Sequence, residues 1–162
     1  AEKTSCNCKR IYQTKLFDCE SEEDMMNVSI RTATHADLRT FLKLDHHITP
    51  HRLKTVVKEG RAIVIEVDDT ICGVMRYSLF WESIPFLDFI FVAPLWQKQG
   101  LGRALMTFWE ERMKDCGFRF CLTSTQADET AKFFYEKLGY IKTGAFFPPE
   151  QTEAELIYQK RL

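Results

Sequence analysis

At 162 residues and 45% hydrophobic content, the chain has the length of one domain and enough apolar residues for a sizeable core. A formal net charge of −1 argues against a general nucleic-acid binder, whose phosphate contacts need a basic surplus. No apolar run approaches the roughly 20 residues of a membrane span and no basic-then-apolar leader is visible, so the expected location is the cytoplasm, with neither nucleic acid nor membrane as partner.

Residues 1–25 are polar, with an acidic run over 20–24, and read as an N-terminal extension, loosely docked or disordered. Ile11, Tyr12, Leu16 and Phe17 could still pair or pack somewhere. The domain proper is expected over 26–162. Residues 27–32 alternate as a first strand, and Thr34 with Asp37 forms a capping box that opens a helix through Leu38, Phe41 and Leu42. Thr49-Pro50 suits an N-cap followed by proline in the first helical position, starting a second helix that packs Leu53, Val56 and Val57 and stops at Gly60. His46, His47 and His51 crowd the link. Adjacent histidines diverge on most backbones and no carboxylate stands at ligand spacing, so the link reads as a polar loop and no metal is expected.

Residues 61–67 and 70–81 are β-rich runs across an Asp68-Asp69 hairpin, with Gly73 suited to a bulge. After a turn at 82–85, residues 86–92 form an apolar run, too short for a buried helix, that reads as a strand covered on both faces. Asp88 is its one charge, and a lone carboxylate inside such a strand is costly unless paired or used.

Beyond Ala93-Pro94 the chain turns polar through Gln97-Lys98-Gln99-Gly100-Leu101-Gly102-Arg103. From there Leu101, Leu105, Phe108, Trp109, Met113 and Cys116 recur at helical spacing up to Gly117. Glycines at a helix start lose more chain entropy on ordering than alanine would. They serve either a tight strand-to-helix turn or the approach of a phosphate to the unpaired N–H groups at the positive end of the helix, with Lys98 and Arg103 adding charge. The loop lacks the third glycine of a dinucleotide fingerprint and the Gly-Lys-Ser/Thr of a P-loop.

Residues 118–124 form a strand that arrives after a crossover, hence parallel to 86–92. Thr125 with Asp128 reads as a second capping box, and Ala131, Phe134, Tyr135 and Leu138 mark a helix closed by Gly139. Residues 140–146 and 154–161 are a last strand pair across Pro148-Pro149. Of six cysteines, Cys72, Cys116 and Cys121 sit in apolar contexts and are expected to be reduced. Cys6 and Cys8 have no second pair at zinc-ribbon spacing.

Gln97-Lys98-Gln99-Gly100-Leu101-Gly102, following Ile90-Phe91-Val92-Ala93-Pro94, resembles the acyl-CoA loop of the GCN5-related N-acetyltransferase (GNAT) family. Residues 131–140, AKFFYEKLGY, are similar to that family's second hallmark, and the element order matches over 27–162. The resemblance implies an α/β (α+β) fold: a mixed, mostly antiparallel six- to seven-stranded sheet, about four helices, and parallel strands 86–92 and 118–124 that splay apart. It implies an N-acetyltransferase that moves the acetyl group of acetyl-CoA, bound as co-substrate, to a primary amine of a small molecule or peptide in a ternary complex.

By the same resemblance the N–H groups of Gln97, Lys98, Gln99, Gly100, Leu101, Gly102 and Arg103 receive the pyrophosphate. The edge of Ile90, Phe91 and Val92 pairs with the pantetheine arm, and Val92 N–H points at the thioester carbonyl. Phe134 and Asp128 fall at cofactor-side positions. Where many relatives carry asparagine this chain has Asp128, which cannot donate and is expected to serve the helix cap. Tyr135 takes the place of the acid that protonates the leaving thiolate, although the stripe alone reads rather as a core tyrosine. Asp88 is the candidate base or amine anchor. Glu82, His46 and His47 are rivals, and many members of the family show no dedicated base. The strand glutamate of the histone-modifying branch would fall nearer Phe86 and does not carry over.

Asp45, Glu82 and Asp88 hint at a cationic acceptor. Phe80, Trp81 and Phe86 either wall its pocket or fill the core, and aromatic edges at strand ends leave a homodimer open. A non-catalytic acyl-CoA sensor and a nucleotide-phosphate binder are the rival classes.

Overall fold

A computed structural model describes the backbone of Tyr12–Lys15 and the whole of residues 26–162. The chain divides into two units, residues 1–76 with 89–109 and residues 77–88 with 110–162.

In the first unit, β1 (Tyr12–Lys15), β2 (Asn27–Thr32), β3 (Ala62–Val67) and the start of β4 (Thr70–Phe80) are joined in that order, each pair antiparallel. Strand β2 forms over the predicted residues, with Val28 and Ile30 buried and Ser29 and Arg31 partly exposed, the period-2 pattern of a half-covered strand. Part of the N-terminal extension is therefore a paired strand; the rest of 1–25 lies outside the described residues. Asp68 and Asp69 turn β3 into β4 with φ of 47° and 61°, the left-handed pair of a two-residue hairpin. The bulge expected near Gly73 is present: Ile65 faces Gly73 but Glu66 faces Ile71, which leaves Cys72 as the extra residue.

Helices α1 (Leu38–Leu44) and α2 (Pro50–Lys58) are seven and nine residues long, too short to hold together without tertiary contacts. Asp37 carries the first capping box, with its carboxylate accepting from Thr34 N–H at 2.6 Å and Thr34 Oγ1 at 2.9 Å. Thr49 Oγ1 caps α2 by accepting from Arg52 N–H at 3.3 Å, with Pro50 in the first turn. The helices are pinned by Leu38, Phe41, Leu53 and Val56, which pack with Ala62, Val64 and Val74 and against Phe89 and Phe91 of β5 (Ile84–Val92). At about 1.5–3 kcal/mol per buried side chain, these four outweigh the weak intrinsic helicity. The helix link is held by an ion pair invisible in the sequence. Asp45, fully buried, accepts from Arg76 Nε at 2.6 Å and from His47 N–H at 2.9 Å, and the Arg76 guanidinium lies 5.4 Å from the Phe89 ring centre.

In the second unit β6 (Phe120–Gln126) pairs with β5 and with β8 (Glu155–Arg161), and β7 (Ile141–Phe146) pairs with β8. The β5–β6 ladder is parallel, at Phe86↔Leu122 and Leu87↔Thr123, as the crossover requires, while both pairings of β8 are antiparallel. Seven strands thus follow from Asn27 onward in a mixed, mostly antiparallel arrangement with four α-helices, α3 (Leu101–Asp115) and α4 (Ala131–Lys137) completing the set. Both faces of α3 behave as its apolar spacing predicts, with Leu101, Leu105, Phe108, Trp109 and Met113 buried.

Two local expectations are corrected. Thr125 is not a helix cap: β6 runs on to Gln126, the Thr125 hydroxyl donates to the Glu129 carboxylate at 2.5 Å, and α4 starts after Thr130. Asp128 accordingly sits exposed in the turn before α4 rather than at its cap. Cys116 is disulfide-bonded rather than reduced; it lies just past the end of α3, half-buried. Cys72 and Cys121 are buried free thiols whose pKa burial pushes up to about 11 and about 12. Among the described residues no helix is long and apolar enough to cross a membrane, and no three His, Cys, Asp or Glu side chains group to hold a metal.

Candidate active site

In the first unit the site is built on the end of β5. Ala93 N–H donates to Cys72 O on β4 at 2.8 Å. Because N–H groups alternate along a strand, Val92 N–H and Ile90 N–H are turned to the edge away from β4. The Val92 carbonyl on that edge is met by Gln97 Nε2 at 2.8 Å, which ties the following loop to the strand end. Gly73 makes this approach of strands feasible: a Cβ there would stand 2.8 Å from Ile65 Cγ2, 2.9 Å from Phe91 O and 3.2 Å from Val92 Cγ2.

After a 3₁₀ turn at Pro94–Trp96, Lys98 and Gly100 take φ of 62° and 83° and swing the backbone into α3. Gly100 O accepts the first helical bond, from Ala104 N–H at 2.9 Å. Leu101, Gly102 and Arg103 therefore present N–H groups with no carbonyl one turn earlier in the helix, at its positive end. Gln97, Lys98, Gln99, Gly100 and Arg103 are exposed, and Gly102 is half-buried. Gln97 N–H donates to Pro94 O at 3.3 Å inside the 3₁₀ turn, so this N–H is engaged within the chain while the side chain ties the loop to the strand end. No sequence signal announces that clamp, because a clamp and a ligand both want an amide at that spot.

In the second unit Tyr135 on α4 is 5% exposed. Its ring meets Phe134 at 5.5 Å, Tyr140 at 5.8 Å and Tyr158 at 6.3 Å. Burial raises the Tyr135 pKa, and a hydrogen bond with the Thr123 hydroxyl partly opposes that shift. The group is thus kept as the neutral phenol, the form that has a proton to give. Thr123, on β6, was not singled out from the sequence; its Oγ1 also donates to Leu87 O at 3.4 Å, across the parallel ladder. Only the register of β5 on β6, set by residues far apart in the chain, brings Thr123 to that place.

Asp88 departs from its expected setting. It is exposed and accepts from Ser78 Oγ at 2.7 Å, so the cost of a carboxylate buried in an apolar strand does not arise. Glu82 is exposed in the β4–β5 turn. His46 and His47 are both exposed, with the His47 ring 5.6 Å from Phe89 in the first unit. Of the predicted residues, the first unit holds Ile90 to Val92 and Gln97 to Arg103, and the second holds Asp88, Asp128, Phe134 and Tyr135.

No curated protein matches the chain by sequence. Solved structures do match its fold. Ard1 from Thermoplasma volcanium superposes with a TM-score of 0.75 at 15% identity, covering 83% of this chain and 97% of that one. The structure of yncA from Salmonella typhimurium with its cofactor acetyl-CoA gives 0.71 at 15% identity, covering 83% and 93%. Arabidopsis thaliana Naa50, in complex with the bisubstrate analogue CoA-Ac-MVNAL, gives 0.68 at 14% identity, covering 82% and 97%. The family model described as the acetyltransferase (GNAT) family matches residues 23–140. That span takes in the strand end, the glycine loop, α3 and the Tyr135 helix, so the chain belongs to the acetyltransferase (GNAT) family and is an acetyl-CoA-dependent acyltransferase.

Proposed function

We propose that residues 26–162 form a catalytic domain that transfers the acetyl group of acetyl-CoA directly to a primary amine of a small molecule or peptide while both are bound. The observation that carries this is the loop between β5 and α3: poor in side chains, clamped by Gln97 to Val92, and ending in unpaired helix N–H groups. In this reading Lys98 to Arg103 hold the pyrophosphate of acetyl-CoA, and the β5 edge at Ile90 to Val92 pairs with its pantetheine arm as an added strand would. Phe134 and Asp128 complete the cofactor side.

The neutral amine attacks the thioester carbonyl carbon, and the carbonyl oxygen takes up the negative charge. Val92 N–H donates to that oxygen, a contact worth about 3 kcal/mol in the transition state. The intermediate collapses by breaking the carbon–sulfur bond, and Tyr135 gives its phenolic proton to the departing thiolate. The nitrogen loses its extra proton to Asp88, directly or through water; Asp88, which is exposed, passes it to solvent, and Tyr135 takes up a proton from water admitted when the products leave. Asp88 and Glu82 favour a cationic acceptor, and support for a peptide amine comes from the bisubstrate analogue in Naa50, which shares the fold.

The test is thiol release from acetyl-CoA across a panel of amines, with mass detection of the acetylated product. An acetylated amine whose formation slows on Tyr135→Phe supports the reading. Tight CoA binding with no thiol released from any amine, and no effect of Tyr135→Phe, would establish an acyl-CoA sensor instead. Competition by ATP as effective as that by CoA would point to a nucleotide-phosphate site.

A further inference from the structure

The tip of the β4–β5 hairpin is built against local preference. Trp81 and Glu82 occupy the turn with φ of 51° and 55°, Glu82 N–H donating to Leu79 O at 3.1 Å and Ser83 N–H to Phe80 O at 3.2 Å. Two successive left-handed residues suit Asn-Gly; a tryptophan and a glutamate there carry a backbone cost. What the turn achieves is display. Trp81 is 79% exposed and Phe80 42%, although both are large apolar side chains.

These rings continue into an ordered strip. Ser78 bonds to Asp88 at 2.7 Å, and Phe80 lies 6.3 Å from Phe86, so residues 78 and 80 share a face with 88 and 86. Phe80 also contacts Trp81, with ring centres 4.6 Å apart. The strip therefore carries three aromatic rings and ends at its tip in the exposed carboxylate of Glu82, with Asp88, already engaged by Ser78, at its base. Aromatic faces beside carboxylates attract ammonium and guanidinium groups while their apolar area takes the attached hydrocarbon. From Ile84 to Asp88 the strand covers roughly 13 Å, the length of an extended peptide of about four residues, and the turn adds the Trp81 ring beyond it.

We propose that this strip docks a basic, partly apolar polypeptide segment, the part of an acceptor chain that flanks the amine to be acetylated. The docking stands on the hairpin alone; only the word acceptor rests on the function proposed above.

The experiment titrates the full chain with a synthetic peptide alternating lysine and leucine, following backbone amide and indole N–H shifts. The expected shifts fall on residues 78–88 and the Trp81 indole, the affinity drops on adding salt, and the glutamate-for-lysine peptide does not bind. The double variant W81N/E82G places the preferred pair in the turn, so it melts no lower than the parent, yet it binds the peptide at least about tenfold more weakly. The inference is overturned by shifts confined elsewhere, by equal binding of the glutamate peptide, or by a W81N/E82G variant that binds like the parent. It is also overturned if spermidine displaces the peptide at equal concentration, or if Trp81 mediates self-association that the peptide does not disrupt. None of these readouts needs acetyl-CoA. A protein that binds the peptide here but acetylates no amine refutes the catalytic reading and leaves the docking surface standing.

Discussion

Gly73→Ala tests how the β5 edge is positioned. The added methyl would stand 2.8 Å from Ile65 Cγ2 and 2.9 Å from Phe91 O, well inside the roughly 3.5–4.0 Å at which carbon atoms pack without strain. Ile65 is fully buried and Phe91 O is backbone, so neither can rotate away; relief has to come from moving β5 off β4. Overpacking of this kind costs about 1–3 kcal/mol, and the stiffer unfolded chain of an alanine variant returns about 0.4–1 kcal/mol. A net loss of about 1–2 kcal/mol lowers the melting temperature by roughly 2–8 °C in a chain of this size. The atoms that shift belong to Phe91 and Val92, on which acetyl-CoA is proposed to lie, so the Kd for CoA should rise by about tenfold as well. Calorimetric titration with CoA and thermal unfolding give both numbers. The control is Val28→Ala, which empties a buried site on β2, separated from β5 by β3 and β4, and should lower stability while leaving the CoA Kd alone. An unchanged CoA affinity in Gly73→Ala, or an equal loss in Val28→Ala, would refute the reasoning.

Tyr135→Phe keeps the buried ring packing and removes the proton. It should lower kcat by about 10²-fold or more with the KM for acetyl-CoA little changed, measured by thiol release with an accepted amine. Since burial raises the Tyr135 pKa above its usual value near ~10, activity should not fall through loss of this proton until pH rises beyond that value, which a kcat–pH profile will show. Asp45→Ala breaks a largely buried ion pair and should cost about 3–5 kcal/mol in denaturant unfolding, whereas Lys98→Ala, on an exposed residue, should change stability little. Arg31 holds the Asp37 carboxyl well below the usual carboxylate range, at about 2. A depressed pKa gives stability that is present above the unfolded value near 3.8 and is lost as pH falls toward 2. Arg31→Met should therefore shrink the pH dependence of the melting temperature within that window.

Much of the fold was legible because its signals are local. The strand at Asn27–Thr32, the caps at Asp37 and Thr49, the Asp68-Asp69 turn and the apolar stripe of α3 each depend on residues within one or two turns of chain. Failures came where the partner was distant or the same pattern served another purpose. Thr125 and Asp128 have capping-box spacing, but a spacing cannot reveal that β6 continues through Gln126. Asp88 looked buried in an apolar run because its cross-strand neighbour Ser78, and the open hairpin face they share, depend on strand register. The same limit hid Asp45 with Arg76, Thr123 beside Tyr135, and the bond from Gln97 to the Val92 carbonyl. Phe80 and Trp81 could be named from the sequence but not placed, since aromatic residues fit a core and a recognition surface equally well.

The central claim is that the backbone between Lys98 and Arg103 grips a diphosphate. The direct measurement is a titration of the isotopically labelled protein with CoA, and separately with CoA lacking its phosphates, read at each backbone amide. The account predicts that the amides of Gly100, Leu101, Gly102 and Arg103 move with CoA, move far less with the dephosphorylated arm, and lose most of the response when Gly100 and Gly102 are replaced by valine. Amides in that segment that stay still while CoA binds, or valine variants that bind CoA as tightly as the parent, would contradict it.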